Sequence, residues 1–334
     1  MDSGPLNVPV PSWAKEALEA VHLHVREALP ETLQSAWNTT GFGLTGFDRQ
    51  PLRPYLALLV ARHYGHTGRR PLRLASSIHM IHLASLLHDR LGTARKVRDA
   101  GQDADAELHQ REALDILLGD FFFSQASRVI VEDGETRIIE EHIRTSLRSA
   151  ETQASIVNLE ERPDEVEPGQ CFDLVADKVS LLLALSTRVG ALLGKARREE
   201  EEALAAYGHL LGRVVRILED LTFWESPPRG SSPVASETKF SHPLILLWER
   251  EGRGAWKEAV RQLDVQDPRN REALGVRLGD QGYTGASREV ALDFAKQALR
   301  RLDGLAETEE ARRLKGIAHF HVFPGEPPGQ EVTR

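Results

Sequence analysis

The sequence predicts an all-α protein, and three observations carry that reading. Apolar residues recur at the helical period over most of the chain. Strand signals are sparse: Val129-Ile130-Val131, followed by Glu-Asp-Gly, reads either as a short hairpin arm or as a helix end. Turn chemistry is gathered into a few interruptions, and composition does not shift across any of them.

Taken in order, residues 1–44 read as an N-terminal helix and loop, closing in the glycine-rich stretch 38–51. Pro54 to His63 is apolar on nearly all faces, the mark of a helix packed on several sides. The segment around Ile81 to Asp89 is a further helix. Arg98 to Asp105 is polar and contains glycine, so a loop is expected. Leu114 to Ala126 returns to the helical period. Arg162 to Gln170 is acidic with two prolines and reads as another loop. Val179–Leu193, Ala203–Leu221 and Val290–Leu302 are helical by pattern. Between the first two, the run Arg197 to Glu202 reads as a solvated helix start, since acidic residues in a first turn favour the helix dipole. Ser226 to Pro233 is the strongest break. Pro324 to Arg334 reads as a disordered tail. Residues 45–323 are expected to form one domain of about a dozen helices, judged from mean helix length. No internal repeat is evident.

The bulk composition narrows the function. With 42 basic against 50 acidic residues, the net charge of -8 argues against a general nucleic-acid binder. The single cysteine, Cys171, excludes an intramolecular disulfide framework and a cysteine-rich zinc site, and reads as a small packing residue. No apolar run approaches the roughly 20 residues needed to span a bilayer. The N-terminus lacks the basic start and apolar stretch of a signal peptide, so a cytoplasmic protein is expected.

Seven short elements recur in one order. Leu52-Arg53-Pro54 opens a helix, and Ile81-His82 with Leu87-His88-Asp89 follows on the next. Leu117-Leu118-Gly119-Asp120, Lys178-Val179-Ser180-Leu181-Leu182, Gly190-Ala191-Leu192-Leu193-Gly194, Tyr207 through Asp220, and Lys239-Phe240-Ser241-His242-Pro243 complete the series. In this order they resemble the trans-isoprenyl (polyprenyl) diphosphate synthases, from about residue 45 to about residue 322. That resemblance implies a helical bundle around a central cavity, and a dimer. It implies two facing helices that each carry Asp-Asp-x-x-Asp. Positions one and five of that motif share a helical face, and the opposed carboxylates hold magnesium. Magnesium prefers hard oxygen ligands and bridges carboxylates to phosphates. It draws charge onto the leaving diphosphate, so an allylic cation forms for isopentenyl diphosphate to attack.

Position by position, this chain departs from the pattern. On the first helix Asp89 remains, but Arg90 and Thr93 replace the other two aspartates. On the second, Glu219 replaces the first aspartate, Asp220 remains and Phe223 replaces the last. Asp89, Glu219 and Asp220 are therefore the candidate metal ligands, for a weak site or none. The diphosphate-binding candidates implied by the resemblance are Arg53, His82, Arg90, Arg98, Lys178 and Lys239. Gln50 replaces one lysine of the isopentenyl set, and Asp99 one arginine of the allylic set. Val215 and Arg216 stand where the family has Phe-Gln. Arg90 admits two readings: a guanidinium that binds phosphate in place of a missing cation, or an ion pair with Asp89 or Glu219 filling a dead site. Ala84 and Ser85 occupy the positions that set the floor for a growing prenyl chain, as in long-chain members. Small residues equally serve close helix packing. His79, His82 and His88 share a helix without a third clustered zinc ligand, and read as hydrogen-bonded helix histidines. Phe121-Phe122-Phe123 reads as core packing.

The leading expectation is a catalytically impaired relative. It would act as partner or regulatory subunit of an active synthase, in a homodimer or heteromer, or as an isoprenoid-diphosphate binder, with magnesium as the only cofactor implied. An active divergent prenyltransferase is the alternative, using Asp89, Glu219 and Asp220 for metal. A terpene cyclase comes third, because no Asn, Ser and Glu set follows Glu219 at helical spacing.

Overall fold

The computed structural model describes residues 10–39, 52–94, 102–161, 166–226, 236–264 and 267–322. Among these residues there is no strand. Thirteen α-helices follow in chain order: α1 (Ser12–Ala28), α2 (Glu31–Thr39), α3 (Leu52–His63), α4 (Arg69–Ala94), α5 (Gln102–Asp133), α6 (Thr136–Glu161) and α7 (Pro168–Leu193). Then come α8 (Arg198–Glu225), α9 (His242–Glu251), α10 (Arg253–Asp264), α11 (Pro268–Asp280), α12 (Tyr283–Arg301) and α13 (Glu309–Val322). A 3₁₀ turn, Ser236–Phe240, precedes α9. No helix among the described residues is long and apolar enough to cross a membrane.

The periodicity explains the arrangement. α3 is apolar all round and is covered on every side, with Tyr55, Leu56, Leu59, Val60 and Ala61 fully buried. α4 and α7 flank it, α1 lies across α3 and α4, and α8 runs along α7. The α7–α8 contact is close because glycines of α8 face it. A Cβ on Gly212 would stand 2.3 Å from Ser180 Cα, and one on Gly208 2.5 Å from the Leu183 carbonyl. Residue 212 thus lies opposite 180, and 208 opposite 183, so the two helices are antiparallel. A second cluster gathers the start of α7, the end of α8 and helices α9 to α12 around Phe240, Trp248 and Trp256.

Several boundaries differ from the sequence reading. Arg98 to Asp105, expected as a loop, is helical from Gln102. The loop expected over Arg162 to Gln170 ends early, because Pro168 opens α7 and Glu167 with Gln170 forms a capping box. α2 runs to Thr39, taking in the first two residues of the stretch 38–51 expected as a break. Val129 to Val131 is the end of α5, and Gly134, at φ 79°, makes the turn into α6. The tail Pro324 to Arg334 lies outside the described residues.

Candidate functional site

Asp89 ends a stripe on α4. His82, Ser85, Leu86 and Asp89 are partly exposed at i, i+3, i+4 and i+7, while Leu83, Ala84 and Leu87 between them are buried. Leu174, Lys178 and Leu181 form a matching partly exposed stripe on α7. The stripes meet where Lys178 Nζ lies 2.9 Å from Asp89 Oδ1, with side-chain exposures of 11% and 28%. Of the two floor candidates, Ser85 lies on the Asp89 face, whereas Ala84 turns into the core at 3% exposure.

The second motif is held differently. Arg216 Nη2 lies 2.8 Å from Asp220 Oδ1, one turn along α8, and both side chains are nearly buried. The other oxygen of Asp220 accepts the backbone N–H of His242 at 2.9 Å, so this carboxylate also caps the start of α9. Trp224 donates to Ser241 Oγ at 3.0 Å, fixing the same junction. Lys239 rides on that junction: its carbonyl accepts Trp256 Nε1 at 2.9 Å. Glu219 is exposed on α8. Phe223 is partly buried, with the Arg271 guanidinium 4.0 Å over its ring. Residue 220 falls level with the start of α7, because α8 runs antiparallel to it and both Asp220 and Phe172 touch His242. Asp89, Lys178 and Asp220 therefore gather at one end of the bundle.

Deeper along the α4 stripe, Arg53 Nη1 of α3 lies 3.1 Å from His82 Nε2. Burial, then Arg53 and then His79, push the His82 pKa well below its ordinary value. Since the guanidinium can only donate, His82 accepts through Nε2 and is neutral. Part of His82 is nevertheless accessible. The His79 ring lies near those of His82 (centroids 6.5 Å) and His22 of α1 (5.5 Å), tilted by 47° to each. Burial, followed by the charges of His22 and Arg53, lowers the His79 pKa to about 3. Phe122 is buried against Trp37, Phe121 is half-buried and Phe123 is exposed. His88 lies 3.3 Å from Asp120.

The structure thus brings Arg53 to His82 and Lys178 to Asp89, and puts Asp220 at the same end as that second pair. Arg98 and the Arg90 side chain lie outside the described residues. From the sequence alone, Arg216 reads only as a replacement for a glutamine. Its i, i+4 spacing to Asp220 was the available signal. The approach of His22 had no local signal.

The donor chemistry of this end does not fit a multinuclear magnesium cluster. Asp89 is held by Lys178, Asp220 by Arg216 and a backbone N–H, and Thr93 and Phe223 stand at the i+4 positions. Among the described residues no three His, Cys, Asp or Glu side chains converge to hold a metal ion.

Comparison with known proteins gives a consistent picture. A family model described as polyprenyl synthetase matches residues 49–273. The short chain isoprenyl diphosphate synthase of Methanothermobacter thermautotrophicus is 26% identical over 316 residues, covering 92% of this chain and 95% of that protein. The geranylfarnesyl diphosphate synthase of Natronomonas pharaonis is 29% identical over 340 residues, covering 94% of this chain and 97% of that protein. A solved geranylgeranyl pyrophosphate synthase from Lactobacillus brevis matches with a TM-score of 0.75 at 18% identity, over 93% of this chain and 96% of that one.

Proposed function

The chain belongs to the polyprenyl synthetase family, and from that premise we propose that it binds an isoprenoid diphosphate while being impaired as a catalyst, and serves as partner or regulatory subunit of an active synthase. One observation carries the impairment: both surviving motif aspartates are engaged by protein cations, and neither has a carboxylate four residues on. Ionising an allylic diphosphate needs strong charge stabilisation on the leaving group, and this donor set is depleted for it.

Binding rests on what the chain keeps. Lys178 and Lys239 supply ammonium groups for phosphate oxygens, and Arg53, anchored by neutral His82, supplies a planar fork. The partner reading is supported by large apolar side chains left exposed on α5 and α6. Leu117 and Leu147 are 57% and 61% exposed, and Phe123 and Ile143 are also open to solvent. These helices adjoin across the Gly134 turn, where Ser127 bonds His142 at 3.1 Å. A paired subunit would remove this surface from water.

Incubating the purified chain with magnesium, an allylic diphosphate and isopentenyl diphosphate tests the reading. The expected outcome is no chain elongation above background. Turnover at the rate of an ordinary synthase would refute impairment. One observation favours the second reading, an active divergent prenyltransferase: the chain spans nearly the whole length of relatives named as synthases. That reading requires Asp89 to leave Lys178 for a metal. Asp89→Asn combined with Glu219→Gln should then abolish turnover.

A further inference from the structure

We infer that this chain takes a diphosphate ester without a divalent cation, with Lys178 and Arg216 doing the charge neutralisation that metal ions would otherwise do. The inference deepens the binding reading above and rests on it. A diphosphate approaching bare carboxylates is repelled, so any such site must first neutralise them. Here that has been done from within. Lys178 comes from α7 to Asp89 of α4, and Arg216 lies one turn from Asp220. A divalent ion would have to displace an ammonium from the first aspartate. At the second it would displace a guanidinium and the N–H that opens α9. It would find no carboxylate at residue 93 or 223 to complete its shell.

An incoming anion meets the opposite situation. Among the candidate side chains that are described, Arg53, Lys178, Arg216 and Lys239 are basic, and the two aspartates Asp89 and Asp220 are already offset by Lys178 and Arg216. The Lys178–Asp89 pair stays within reach of solvent. An ammonium donates in three directions, so holding Asp89 and donating to a phosphate oxygen are compatible. Lysine binds phosphate as a point charge and needs no fixed coordination geometry. Asp89 then works as a brace that orients Lys178, and its charge opposes the ligand.

Isothermal titration of the full chain with farnesyl diphosphate, and separately with inorganic pyrophosphate, tests this in EDTA and in magnesium. Affinities in the two buffers should agree within about threefold. Lys178→Gln should weaken binding by about tenfold or more, and Lys178→Arg should restore most of it. Asp89→Asn should strengthen binding by about threefold to tenfold, because it removes an opposing charge. Far-UV circular dichroism and the melting temperature of each variant establish that it is folded. Binding seen only in magnesium, or weakened by Asp89→Asn, overturns the inference while leaving the binding reading intact. Absence of binding in both buffers overturns the two together.

Discussion

The two surviving aspartates share one end of the bundle and are held in contrasting ways. Asp89 meets its cation across a helix–helix seam, at 28% exposure, through a residue 89 positions away. Asp220 meets its cation on its own helix, nearly buried, and gives its second oxygen to the backbone of α9. The first pair can open toward a ligand at small cost, because water and Lys178 can each stand in for the other's contact. The second cannot, because it pins the α8–α9 junction together with the Trp224–Ser241 bond. In this chain one motif aspartate is part of the scaffold while the other stays partly open to solvent.

Asp220→Ala breaks the locked side and should have the largest effect. It strands a buried guanidinium and an uncapped N–H, costing about 3–5 kcal/mol. Urea unfolding monitored by tryptophan fluorescence reads the loss. Gly212→Ala attacks the seam that brings α7 to α8. Its Cβ would stand 2.3 Å from Ser180 Cα, a backbone atom that cannot move aside alone. A destabilisation of about 1–3 kcal/mol is expected in the same assay.

Acid should act at the locked junction through His242 and, separately, on α4 through His79. His242 is nearly buried against Phe172 and Ser287, and burial lowers its pKa from 6.5 to about 4. The unfolded chain therefore takes up protons first, and stability falls as pH drops from about 6.5 toward 4. At pH 5 the loss should be about 2 kcal/mol from His242, with a similar loss from His79. Melting temperatures at pH 7.5 and pH 5 check this, and His242→Asn should reduce the dependence by the His242 share, about half of the two-histidine loss. Asp89→Asn should move stability least, by less than about 1 kcal/mol, since its pair is partly solvated. A change as large as that of Asp220→Ala would erase the contrast between the two sides.

The helical fold was legible because apolar period and turn chemistry agree along the chain. α3 and α7 read as buried helices from their apolar faces alone. One misplaced boundary falls where a proline is part of a helix start. Pro168 looked like a loop residue, but proline is suited to a first helical turn. The thinning of the carboxylates was visible residue by residue, and so was the spacing of Arg216 from Asp220. Which cation meets Asp89 was not. Lys178 is a tertiary neighbour brought there by the antiparallel packing of α4 and α7, and no local pattern encodes that pairing. The approach of His22 to His79 was hidden for the same reason.

Counting bound ions tests the central claim most directly. Manganese, which shares magnesium's preference for oxygen ligands, can be titrated into the chain with pyrophosphate present and followed by electron paramagnetic resonance. Matched pyrophosphate without protein supplies the baseline. Protein cations already holding both aspartates predict a free-manganese signal that tracks this baseline, with no stoichiometric uptake by the chain. Two or three manganese ions taken up per chain, and released on Asp89→Asn, would contradict the account.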